Sequence, residues 1–83
     1  MKVIIHTSFA KLYETEAKEV ILPGEDGEFS VLDFHQPFIY SLKSGLLKIM
    51  PRTSNAKEYF CFNIKKGVAK IDGDNLTAMV ELA

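Results

Sequence analysis

Asp72-Gly73-Asp74-Asn75-Leu76-Thr77-Ala78-Met79-Val80-Glu81-Leu82 reads as a turn followed by a strand. Gly73 and Asn75 tolerate positive φ, which a tight hairpin turn needs. Beyond the turn, Leu76, Ala78, Val80 and Leu82 point one way while Thr77, Met79 and Glu81 point the other. That period of two belongs to a half-buried strand. The same alternation recurs upstream. Phe38, Tyr40 and Leu42 share a face opposite Ile39 and Ser41, and Phe60, Phe62 and Ile64 share a face opposite Tyr59, Cys61 and Asn63. β-Branched and aromatic residues fill these runs, as a pleated surface prefers.

Breakers divide the rest of the chain at Pro23-Gly24, Asp26-Gly27, Ser44-Gly45, Arg52 to Asn55 and Lys66-Gly67. The pieces between them are mostly too short for helices. They predict strands at 2–7, 11–14, 17–22, 28–33, 38–43, 46–51, 58–64, 67–72 and 76–82. Only in 11–20 do Leu12, Glu16, Ala17 and Val20 also suit one helix face. The expected fold class is all-β, a sandwich or barrel of about nine to ten short strands. With no repeat or linker, residues 1–83 form a single domain.

At 83 residues the chain is small, and with 47% hydrophobic and 25% charged residues it has ordinary globular composition. Ten Lys and Arg face eleven Asp and Glu, a net charge of −1, whereas a general phosphate-backbone binder is normally basic. One cysteine excludes an intrachain disulfide. No apolar run approaches the ~18–20 residues that cross a bilayer. No direct membrane insertion is therefore expected.

No catalytic constellation emerges. Cys61, between Phe60 and Phe62, is expected to be a buried structural thiol. His6 and His35 are the only histidines, so a zinc site would need carboxylates to complete it, and no metal is expected. Asp72 to Asn75 opens like a calcium loop. Its sixth position is Thr77 and its twelfth Ala83, where an EF-hand has Gly and Glu. There is no P-loop, and no cofactor is expected. Two features stay open. Glu25, Asp26 and Glu28 form an acidic run around Gly27, either a solvated turn or a docking loop. Lys57 to Lys66 mixes bases with aromatics. Core packing explains that, and so does the strand of a small barrel stacking single-stranded nucleic acid.

The ordered set Leu22-Pro23-Gly24, Glu25-Asp26-Gly27-Glu28-Phe29, His35, Pro37, Leu42-Lys43 and Gly45 resembles the N-terminal domain of the epsilon subunit of F-type ATP synthases. Gly67 to Ile71 and Asn75 to Thr77 are similar to that family's last two strands. The departures are Ser30, Phe34 and Lys66 where the family usually has glycine. Family members usually continue into a two-helix hairpin, whereas this sequence stops at Ala83. A chain complete at that point would lack any inhibitory function of the hairpin.

The resemblance implies a two-sheet β-sandwich and a non-catalytic central-stalk (rotor) subunit of a proton-translocating ATP synthase. The partners it implies are the gamma subunit and the c-ring. Glu25, Asp26 and Glu28 would face the ring, and His35, Gln36, Pro37 and Phe38 would face gamma, with Phe34 or Phe38 as an apolar anchor. The implied location is peripheral, on the cytoplasmic face of a bacterial inner membrane. The isolated chain is expected to be a monomer and to bind no nucleic acid. A small single-stranded nucleic-acid-binding barrel is the alternative.

Overall fold

The computed structural model describes residues 1–33, 36–53 and 58–83, and they fold as strands and turns. The strands are β1 (Lys2–His6), β2 (Lys11–Gly24), β3 (Gly27–Leu32), β4 (Phe38–Leu42), β5 (Gly45–Pro51), β6 (Phe60–Asp72) and β7 (Asn75–Leu82). The count is seven rather than nine to ten because two pairs of expected strands fuse. Segments 11–14 and 17–22 run on as β2, and 58–64 and 67–72 run on as β6.

Both long strands change partners at an irregularity. β2 pairs with β1 through Glu16, skips Lys18, and then pairs with β5 and β3. β6 pairs with β5 through Ile64, skips Lys65, and continues against β7 and β4. An extra residue of this kind bends and twists a strand, which carries it from one sheet to the other. One sheet therefore holds β4, the second half of β6, β7, β1 and the first half of β2. The other holds β3, the second half of β2, β5 and the first half of β6. β1 and β7 run parallel, and every other pairing is antiparallel.

The core lies between the sheets. Val3, Ile5, Leu76 and Ala78 from the first sheet meet Val20, Leu22, Val31, Leu47, Ile49 and Ile64 at the second, all fully buried. Each large aliphatic side chain contributes roughly 1.5–3 kcal/mol of transfer free energy. Among the described residues no polar side chain is buried, so the sandwich holds by apolar contact and ladder hydrogen bonds.

A sandwich leaves two open sides where edge strands face each other, and three aromatic residues fill each. Phe29 of β3 lies 4.2 Å from Tyr40 of β4, whose ring lies 4.5 Å from Phe38. On the opposite side Tyr13 of β2 stacks on Phe60 of β6 at 4.5 Å and meets Phe62 at 5.8 Å. Phe60 and Phe62 therefore face inward, as the alternation requires. Cys61, between them, points to the outer surface and is exposed, contrary to the expected buried thiol. In a strand the neighbour of an inward residue faces outward.

Candidate partner-binding surfaces

The acidic run lies at the tip of the β2–β3 hairpin. Gly24 pairs with Gly27, leaving Glu25 and Asp26 as a two-residue turn. Gly27 has φ +131°, a conformation side chains with a Cβ rarely adopt. A Cβ on Gly24 would lie 2.7 Å from the Phe29 ring, so the glycine lets that ring close over the turn. Two backbone bonds fix the tip to β4: Glu25 N–H donates to the Ser41 carbonyl (3.3 Å) and Lys43 N–H to Pro23 (2.8 Å). Glu28 pairs with Lys48 at 3.5 Å. Among the described residues no cation pairs with Glu25 or Asp26.

Of the four residues expected to face gamma, His35 lies outside the described residues, as does Phe34. Gln36 and Pro37 are exposed at the entrance to β4. Phe38 is 56% exposed although its ring leans on Tyr40. The acidic turn and this aromatic edge, assigned to different partners in the sequence, line one hollow between β3 and β4. Glu25, Asp26 and Glu28 form one end of it and Phe38, Ile39 and Tyr40 one wall.

The sequence reading missed a second apolar surface. Outward-facing Val68 and Met79 sit side by side in the β6–β7 register, each about half exposed. Beside them Phe9, at the β1–β2 turn, is 96% exposed. Its turn is built: Thr7 Oγ1 accepts from the N–H groups of Phe9 and Ala10, both at 3.1 Å. The signal was present, since Met79 stood between Thr77 and Glu81 on a strand's outward face. Singly such a residue is ordinary, but here it adjoins Val68 and Phe9 in a continuous apolar patch.

A charge cluster holds the end of β3. The Met1 ammonium donates to Asp33 at 2.6 Å and to the Ala17 carbonyl at 3.1 Å. Arg52 donates to the other Asp33 oxygen at 2.5 Å and also to Ala17. The bond from the ammonium, then that from Arg52, holds the Asp33 carboxyl below its ordinary value. Burial alone would lower the ammonium, but Asp33 outweighs it and the group is raised. Asp33 directly precedes the connection to Gln36.

All 83 residues match the model of a known domain, the beta-sandwich domain of the ATP synthase delta/epsilon chain. The chain belongs to this family. The ATP synthase epsilon chain of Rickettsia bellii is 39% identical over the whole chain, which spans 76% of that relative. The epsilon chain of Campylobacter jejuni is 36% identical over 77 residues, 93% of this chain and 57% of the relative. Among solved structures, a chain of the Tetrahymena thermophila mitochondrial ATP synthase central stalk and c-ring superposes with a TM-score of 0.81. It is 14% identical, with 98% of this chain and 63% of the other covered. At that identity the likeness shows the fold. It agrees with the sandwich expected from the alternation and the turn pattern.

Proposed function

We propose that the chain is a non-catalytic central-stalk subunit of a proton-translocating ATP synthase, joining the gamma subunit to the c-ring. The observation that carries this is the family match over every residue, with relatives that are themselves epsilon chains. The surfaces suit such a role. The fold is a two-sheet sandwich, and its accessible features include a hairpin tip with carboxylates and an aromatic edge. Glu25, Asp26 and Glu28 would meet the polar loops of the ring. Gln36, Pro37 and Phe38, with His35, would meet gamma, and the apolar strip at Val68, Met79 and Phe9 extends the area available to it. The work done is mechanical: rotation of the ring reaches the catalytic sites without slip. In this reading the chain is a monomer alone and peripheral to the cytoplasmic face of a bacterial inner membrane.

The nucleic-acid reading gains no support. Phe60 and Phe62 are engaged with Tyr13, and Lys65 and Lys66 both pair with Glu81 at 3.7 Å. The deciding experiment is affinity capture of the tagged chain from solubilised membranes. Gamma and the ring should co-purify in fixed ratio. Their absence, with nucleic acid retained instead, would overturn the proposal.

A further inference from the structure

The outer edge of β4 carries backbone groups that no described strand meets. Ser41 accepts from Glu25 and Lys43 donates to Pro23, so the backbone groups of both point away from β6. Backbone direction alternates along a strand, so Ile39 N–H and C=O point the same way. Among the described residues β2 meets β4 at Gly24 and Leu42 alone, three residues short of the partner Ile39 would need. Across the hollow β3 presents a second open edge, since among the described residues it pairs with β2 only. Phe29 and Tyr40 form the floor between them. Exposed edges of this kind are templates for another strand unless blocked by charge, proline or a cover. Here the residue at the opening, Ile39, is apolar and 63% exposed.

We propose that this hollow receives an extended segment of the gamma subunit, which adds as a strand to the free edge of β4 and carries a lysine or arginine. The occupant is chosen by charge: Glu25, Asp26 and Glu28 line the hollow, and among the described residues no lysine, arginine or histidine does. A cation on the incoming strand would reach Glu25 or Asp26 where the turn passes from the gamma side to the ring, so these carboxylates would be shared between the two partners, while alternate side chains lie on Phe29 and Tyr40. The inference rests on gamma being the partner at Gln36 to Phe38, and it specifies how gamma is held there: by main-chain bonds as well as side chains.

Amide hydrogen exchange on the chain alone and in complex with gamma tests it. The Ile39 amide should exchange at least about tenfold more slowly in the complex, as one added backbone bond requires. Bound gamma with Ile39 exchange unchanged would overturn the inference and leave the partner assignment intact, whereas no binding by the unmodified chain would fail the partner assignment itself. Ile39→Pro deletes the outward N–H without touching a bond to β6 and should weaken gamma binding about tenfold. Ile39→Thr keeps the N–H and should bind as the unmodified chain does. Equal affinity of the two variants would overturn the inference. Ser30→Lys, a cation in the hollow, should weaken binding several-fold at low salt, and Ser30→Glu should not. The reverse order would exclude a basic occupant.

Discussion

The two open sides of the sandwich are filled alike and rimmed differently. Phe29, Tyr40 and Phe38 close one, and Tyr13, Phe60 and Phe62 close the other. Beside the second side Glu14, next to Tyr13, is answered within the chain. Lys11 and Lys2 hold Glu14 at 2.6 and 3.3 Å, and the bonds from Lys11 and then Lys2 keep that carboxyl below its ordinary value. At the first side Glu25 and Asp26 have no cation among the described residues, and an unpaired strand edge lies beside them. Aromatic filling is what any sandwich needs to keep water out of its seams. Unpaired charge next to an open edge adds nothing to that, and it is the feature on which the proposal of a docking side rests.

If the two plugs are equivalent for folding, truncating either should cost the same. Phe29→Ala and Phe62→Ala each remove a half-buried ring against the core and should destabilise the fold by about 2–3 kcal/mol. Urea unfolding measures both. A loss confined to Phe62→Ala would mean that the Phe29 ring serves partner binding and not packing.

Binding should then separate the sides. Phe38→Asp should cost about 2 kcal/mol or more of gamma affinity if Phe38 is a buried anchor in the complex. Phe60→Asp, equally exposed on the opposite side, should leave gamma affinity unchanged. Titration calorimetry with gamma reads both, and equal effects would erase the distinction drawn between the two sides.

How much of this was legible in the sequence follows from period two. Where a strand keeps one sheet, as at 38–42 and 76–82, the alternation names the buried Leu42, Leu76, Ala78 and Val80, while Phe38 and Leu82 on the same faces stay about half exposed at the strand ends. It fails where a strand changes sheets. Lys65 occupies a skipped position beside the Lys66-Gly67 breaker, so the pattern looks broken there and β6 reads as two strands. In β2 the break expected at 15–16 falls before the skipped Lys18, so the alternation does not locate that change of sheet. The acidic turn was legible because glycine and proline mark hairpins. The meeting of that turn with Phe38 was not, since it depends on the β2–β4 contact across 18 residues of chain. Cys61 was misjudged by its neighbours' hydrophobicity although the alternation had already put it outside.

Acid should report on the clamp at the far end of β3. Asp33 is held below its ordinary value in the folded chain, so the unfolded chain binds its proton first as pH falls. Its stabilisation is therefore complete above the unfolded value, about pH 4, and is lost as pH drops through the lower folded value. Asp33→Asn should melt a few degrees lower at neutral pH and show a shallower acid decline. Identical acid profiles for the two proteins would remove Asp33 from the account of how this edge is held.

The smallest effect on the fold should come from the turn proposed to meet the ring. Glu25, Asp26 and Glu28 are like charges on one tight hairpin, and at surface screening their repulsion is on the order of tenths of a kcal/mol each. Among the described residues only Glu28 has a cationic partner, Lys48, and an exposed pair of that kind contributes little. The triple change Glu25→Gln, Asp26→Asn and Glu28→Gln nearly keeps shape and removes charge, so the melting temperature should stay within roughly a few degrees. In the assembled enzyme the same change should lower protons pumped per ATP hydrolysed, and only partly, because rim charges set orientation more than affinity. The deficit should be largest at low ionic strength, where the native carboxylates are least screened. As a counterpart on the other side, Glu14→Gln should leave coupling intact at any salt concentration, since its charge is already answered by Lys2 and Lys11. Full coupling by the triple variant at every ionic strength, with the complex assembled, would make the two sides equivalent in charge as well as in packing.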